Sequence, residues 1–278
     1  MDQATRAEVT GMWGDAFRYD VETAPCVYDF PFWEELVRRG DARRILELGC
    51  GTGRLAVPLI EAARAHHGDD DVAYVGVDFS AEMLSRFGPR LAEADPAVQA
   101  AARAVEMDMC ALELDEDAFD LVVIALNNLA YLHTRAEQVA CLAGAAKLLA
   151  DDGRLAFEVL VPRLARLAEG QGPLAPPLRL ELDFGVPEMG VERFLRTSAD
   201  HYDPVTQTET SRILHDLFHT DGRHERFTHE LRWHMYFPAE LEMLVEAAGM
   251  RVVERYGSVD FAPFGPRSSS YLWVCGAA

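Results

Sequence analysis

The segment Glu47-Leu-Gly49-Cys50-Gly51-Thr52-Gly53-Arg54 places three alternate glycines directly behind a short apolar run at 44–49. Glycine takes positive φ without steric cost, so such a run turns the chain sharply and lets backbone N–H groups approach a ligand. The next apolar run, 72–78, ends in Asp78, whose two carboxylate oxygens suit the paired hydroxyls of a ribose. A third acid, Asp108, is followed by Met109 and ends a run at 102–107, where an adenine ring would lie. The spacing is Gly-x-Gly-x-Gly and lacks the Gly-x-Gly-x-x-Gly that seats a pyrophosphate on a helix N-terminus. This disfavours a nicotinamide-dependent oxidoreductase, and no Gly-Lys-Ser/Thr phosphate loop is present.

Positioning these groups requires parallel strands joined by crossover helices, and the pattern of the chain supplies them. Strands are expected at 44–49, 72–78, 102–107, 119–125 and 154–159, alternating with helices at 53–65, 80–92 and 134–149. Ser80 and Thr134 are the expected N-caps, and Asp152-Gly153 the turn that ends the third helix. A helix at 238–248, stopped by Gly249, leads into strands at 251–256 and 270–274. Between them, 163–236 interrupts the α/β alternation. Residues 170–187 are rich in Gly and Pro and are expected to be loop, whereas 192–202, 206–219 and 224–237 alternate like antiparallel hairpin strands. The expected organisation is an N-terminal helical cover segment at 1–40, an α/β core at 41–162 and 237–278, and an inserted β-rich lid at 163–236, serving substrate or a dimer contact.

The fourth strand is followed by Asn127-Asn128-Leu-Ala-Tyr131-Leu-His133, polar groups at the expected mouth of a site. Asn127 and Asn128 are candidates for hydrogen bonding to ligands, Tyr131 for lining the substrate space and His133 for a general base, with capping of the next helix as the alternative for His133. Six of the nine histidines, His201, His215, His219, His224, His229 and His234, fall in the insertion. Strand alternation sends several of them to opposite faces, and no carboxylate or thiolate spacing completes a closed site, so no metal is expected. Cys50 and Cys110 border the glycine and Asp108 loops without an evident base and are expected to pack rather than react. Arg232 is the candidate substrate contact among the insertion's arginines, most of which are expected to pair with acids.

Composition narrows the function classes. The chain of 278 residues carries 26 Lys+Arg against 46 Asp+Glu, a formal charge of −20, a field that repels polyphosphate and anionic membrane surfaces. Nucleic acid and membrane are therefore not expected partners. Lys147 is the single lysine, which nearly excludes Schiff-base chemistry and, with abundant Arg and Ala, suggests a GC-rich bacterial genome. Five scattered cysteines without a C-x-x-C pair argue against a disulfide framework, and no apolar leader or spanning run is visible, so a cytoplasmic protein is expected.

The successive motifs Glu47 to Arg54, Gly76-Val-Asp-Phe-Ser-Ala-Glu-Met-Leu84, Asp108-Met109 and Phe119-Asp-Leu-Val-Val-Ile-Ala125 resemble those of class I S-adenosylmethionine-dependent methyltransferases, in the same order. The resemblance covers residues 44 to 160 and implies a Rossmann-like seven-stranded sheet with one antiparallel strand and helices on both faces. It implies S-adenosylmethionine as cofactor and S-adenosylhomocysteine as product. Gly49, Gly51 and Gly53 would lie beside the methionine part, with Arg54 at the helix start, Asp78 on the ribose, Met83 or Phe79 against the adenine, Asp108 on the adenine amino group, and Glu47, Cys50, Met109 and Asn127 also in contact with the cofactor. The insertion, with Tyr202-Asp203-Pro204, resembles that of glycine and amino-sugar N-methyltransferases, which implies a small-molecule acceptor of the kind found in bacterial secondary metabolism. Tyr19 and Tyr28 then become candidates to close over the methionine moiety and the substrate. The other readings are a non-catalytic cofactor-binding or regulatory protein and a methyltransferase acting on proteins, and a homodimer is one use of the hairpin edges.

Overall fold

The computed structural model describes residues 1, 3–68, 71–115, 118–171 and 176–278. The chain begins with three helices, α1 (Gln3–Trp13), α2 (Ala16–Thr23) and α3 (Phe30–Arg39), of which α2 starts where the Asp15 side chain accepts the Arg18 N–H. The α/β alternation then runs β1 (Arg44–Leu48), α4 (Ala56–His67), β2 (Ala73–Asp78), α5 (Ala81–Leu84), α6 (Phe87–Leu91), α7 (Pro96–Ala101), β3 (Ala102–Glu106), β4 (Phe119–Ile124), α8 (Arg135–Leu148) and β5 (Leu149–Leu160). It is interrupted by α9 (Leu164–Glu169), β6 (Arg179–Val186), β7 (Val191–Asp203), β8 (Thr208–His219) and β9 (His224–His234). It closes with α10 (Pro238–Ala247), β10 (Met250–Tyr256) and β11 (Ser270–Ala277). Among the described residues no helix is long and apolar enough to cross a membrane.

Two sheets result. The first has seven strands in the order β10-β11-β5-β4-β1-β2-β3, with β11 antiparallel to both its neighbours and the β5-to-β3 half parallel. The strands of its centre are near-continuous apolar runs, as a sheet covered on both faces requires. The second sheet is antiparallel, in the order β6-β7-β8-β9.

Two caps form as expected: the Ser80 Oγ accepts the Met83 N–H, and Thr134 with Glu137 forms a capping box. Several expectations are corrected. The helix expected at 80–92 is two short helices, because Pro89 contributes no N–H and the register restarts at Phe87. Gly153 does not end a helix but lies inside β5, where a Cβ would stand 2.6 Å from the Phe119 carbonyl oxygen at the site of a register shift. The stretch 170–187, expected as loop, contains β6; residues 172–175 of it lie outside the described residues. The antiparallel sheet therefore has four strands rather than three.

The chain divides into two compact units. One comprises Tyr28–Val161, Tyr236–Ala278 and Met1; the other comprises Pro162–Met235 and the N-terminal residues through Val27. The segment 1–40, expected as a single cover, is thus divided between them. Phe32, Trp33, Leu36 and Val37 of α3 are buried in the core of the seven-stranded sheet, while Val21 of α2 is buried with Val186, Val191, Phe194 and Leu217 of the four-stranded sheet. Each helix follows the apolar surface it can bury.

Candidate functional site

The strand order reverses between β1 and β4, and in doubly wound sheets the crevice beyond the carboxyl ends of the strands at such a point takes ligands. The glycine run leaves β1 there. Gly49 and Gly53 have φ of 76° and 82°, and an added Cβ would meet the Asn128 amide at 2.5 Å in the first case and the Phe87 ring at 2.6 Å in the second. The turn is pinned to the next strand: the N–H groups of Gly49 and Cys50 both donate to Val77 O, at 2.7 and 3.0 Å.

Asp78, at the end of β2, closes the turn. Its Oδ2 accepts the Gly51 N–H and its Oδ1 the Ser80 N–H, each at 2.9 Å. Desolvation raises its pKa, opposed by these backbone donors. Each carboxylate oxygen has a second lone-pair direction, so the group can accept a neighbouring pair of hydroxyls while still holding the turn. Beneath the turn Glu47 is buried and accepts the Tyr74 hydroxyl, and burial pushes its pKa up to about 7. Cys50 is buried with its thiol pushed well above the usual range, so it stays a thiol and packs against Gly76.

Arg54 is buried and forms a two-pronged ion pair with Asp29, both N–O distances 2.7 Å; Asp29 also accepts the Trp33 indole N–H at 3.0 Å. Arg54 thereby ties the start of α4 to the approach of α3. At the end of β3 the Asp108 Oδ1 accepts the Cys110 N–H and its Oδ2 the amino group of Met1, at 2.8 and 2.7 Å. The Asp108 carboxylate is thus placed to accept from an N–H donor. Met83 and Met109 are buried nearby in sequence to these acids, and Phe79 is half-buried.

Beyond β4 the chain makes a strained turn. Leu126 and Asn127 are consecutive left-handed residues, φ 49° and 63°, a conformation costly for a leucine. Three side chains hold it. Glu158 Oε2 accepts the Leu126 N–H at 3.3 Å, Asn127 Oδ1 accepts the Leu160 N–H at 3.0 Å, and Asn128 Nδ2 donates to Gly49 O at 2.8 Å. Both asparagine side chains, expected to face ligands, are engaged with the frame. Tyr131 and His133 follow, half-buried, His133 directly before the N-cap Thr134. Tyr28 is exposed. Tyr19, edge-to-face with Trp13 at 5.3 Å, and Arg232, paired with Glu8 at 2.8 Å, belong to the other compact unit.

The structure thus brings together Glu47, Gly49, Cys50, Gly51, Gly53, Asp78 and Asn128. The sequence reading missed Asp29 and Glu158. Glu158 left a signal, being the one charge in the apolar run 155–160; Asp29 left none, because its partner is 25 residues away. Among the described residues the histidines of the insertion do not converge with acids as ligand sets, whereas Asp41, His66 and His67 at the end of α4 come within 4.8 Å of one another.

Comparison with known proteins agrees with this geometry. A family described as a methyltransferase domain matches residues 45–153. The chain spans about half the length of the curated relatives it matches, from Bacillus subtilis and a Geobacillus species, at 29% and 32% identity over 42% and 55% of those chains. The CcbJ methyltransferase of Streptomyces caelestis superposes with a TM-score of 0.71 at 26% identity, covering 90% of each chain. DesVI of Streptomyces venezuelae (20% identity, TM-score 0.68, 94% and 97% covered) shares the fold. So does CalS10, an amino pentose methyltransferase of Micromonospora echinaspora (20%, TM-score 0.61, 100% and 98% covered).

Proposed function

Because this chain carries a class I S-adenosylmethionine-dependent methyltransferase domain, we propose that it transfers the cofactor's methyl group to a nitrogen or oxygen of a small metabolite by in-line displacement. The observation that carries the reading is Asp78, fixed by the Gly51 N–H at the end of β2 beside a turn of positive-φ glycines. The residues present fit the cofactor: a carboxylate for a ribose diol at Asp78, a second carboxylate that already takes an N–H donor at Asp108, and buried Met83 and Met109 for an apolar ring.

The cofactor, when bound, would supply a methyl group activated on a sulfonium, from which the neutral thioether is an excellent leaving group. The protein therefore has mainly to orient and to exclude water, and orientation can supply roughly 7–11 kcal/mol of a barrier. Gly49, Gly51 and Gly53 give close backbone approach, and Arg54, neutralised by Asp29, holds the start of α4. His133 is assigned to take the acceptor's proton, with Tyr28 and Tyr131 on the substrate. The amino-sugar acceptor of CalS10 suggests a polar metabolite of similar size. The strands β6 and β9 bound the inserted sheet, and edge strands invite pairing, so a homodimer is part of the proposal, tested by sedimentation velocity.

Calorimetry with S-adenosylmethionine and S-adenosylhomocysteine tests the assignment. We expect binding by the wild type and a loss of about 100-fold or more for Asp78→Ala, given the several hydrogen bonds removed. Absence of wild-type binding, or undiminished binding by the variant, overturns it. Transfer of labelled methyl from the cofactor into a small product of a metabolite extract then tests the acceptor class.

A further inference from the structure

Asn128 departs from its expected role in a way that points to a different one. Its Nδ2 donates to Gly49 O at 2.8 Å, across the point where the strand order reverses, from the turn after β4 to the turn after β1. The same peptide unit is held from its other side, since the Cys50 N–H donates to Val77 O at 3.0 Å. The Gly49–Cys50 peptide is therefore clamped at both its oxygen and its nitrogen, one clamp from the strand on each side of β1. The amide also occupies the space a side chain at position 49 would need, 2.5 Å from an ideal Cβ. Glycine is thus demanded there twice, by φ and by this neighbour.

The turn that delivers Asn128 is strained, with Leu126 and Asn127 both left-handed, and it persists because the Glu158 carboxylate and the Asn127 amide tie it to β5. A loop joining β4 to the next helix has no need of such a conformation unless the side chain it aims has a task. We infer that Asn128 is a positioning residue for the cofactor: by fixing the Gly49–Cys50 peptide it sets the path of the glycine turn that receives the methionine part. The inference rests on the proposed cofactor reading, and the experiment separates the two.

Affinity for S-adenosylhomocysteine is measured by calorimetry on the full chain, beside the thermal midpoint without ligand. Asn128→Ala should weaken binding about 10-fold, the equivalent of one well-placed hydrogen bond. Glu158→Ala, which loosens the turn that delivers Asn128, should lower the thermal midpoint and weaken binding by no more than Asn128→Ala does; a larger loss would mean that the turn itself, and not the Asn128 contact, positions the cofactor. Asn128→Asp gives the sharper test. Its carboxyl group can donate to Gly49 O only when protonated, so the ratio of its dissociation constant to that of the wild type should rise with pH. A wild type that does not bind overturns the cofactor reading itself. A binding wild type with Asn128→Ala unchanged, or with an Asn128→Asp ratio independent of pH, overturns the role of Asn128 alone.

Discussion

The two sheets bury charge in opposite ways. In the seven-stranded sheet the strand centres are apolar, and the acids stand towards strand ends, buried at Glu47 and Glu158 and half-buried at Asp78. In the four-stranded sheet buried charge lies on the sheet face itself. Glu22 of α2 meets Arg196 of β7 and His215 of β8, and Arg18 adds its guanidinium to His215 at 2.9 Å. Further along, Asp200 of β7 binds Arg166 of α9 and Arg179 of β6. A parallel sheet covered on both faces has no room for charge except at its ends, where loops and ligands provide partners. An antiparallel sheet covered by its own helices can hold charges on its face if each is paired. Charge at strand ends of the first sheet therefore holds the turns around the candidate site, and charge on the face of the second fixes its covering helices.

The largest effect should come from breaking the face network. Glu22→Ala leaves Arg196 and His215 without their shared carboxylate and should cost about 3–5 kcal/mol in chemical denaturation, the usual cost of opening a buried pair. A cost under about 1 kcal/mol would mean that the network does not hold α2. Gly53→Ala comes next: a left-handed alanine pressed against Phe87 should cost about 1–3 kcal/mol and weaken cofactor binding in calorimetry.

The comparison sharpens with pH. Glu22, held by Arg196 and His215 against the effect of burial, is lowered from 4.5 to about 2, so its contribution is present above pH 4.5 and lost as pH falls towards 2. Glu47 is the reverse: burial raises it from 4.5 to about 7, the unfolded chain ionises first, and stability falls as pH rises through that window. Glu209, raised to about 7 by burial and by Asp200, acts in the same direction. The double variant Glu47→Gln with Glu209→Gln should flatten the profile between pH 4.5 and 7 in denaturation experiments, while Glu22→Gln should flatten it only below. The smallest effect is expected at the exposed Asp183–Arg193 pair: Asp183→Ala should leave the thermal midpoint unchanged within error.

Residues along the chain fixed much of this in advance. The strands at 72–78 and 119–125, the caps Ser80 and Thr134, the glycine turn and the acid ending the second strand are local patterns with local causes. The strand β6 was hidden because Gly and Pro around it mimic a loop, whereas the break before Phe87 had a local sign in Pro89, set against the helical periodicity around it. Partition of the N-terminal helices was also illegible: α2 and α3 are both amphipathic, and only the apolar surfaces available to Val21 and Trp33 assign them to different units.

Amino-acid order alone therefore dictated which segments become strands, where the backbone bends tightly and which acid stands beside that bend, since each depends on neighbours a few positions away. Tertiary structure alone decided that Asn128 grips Gly49, that Arg54 is spent on Asp29 and that Glu158 supports a strained turn. Those pairings join positions 79, 25 and 32 residues apart, and which distant strand ends become neighbours is set by the packing of the whole sheet.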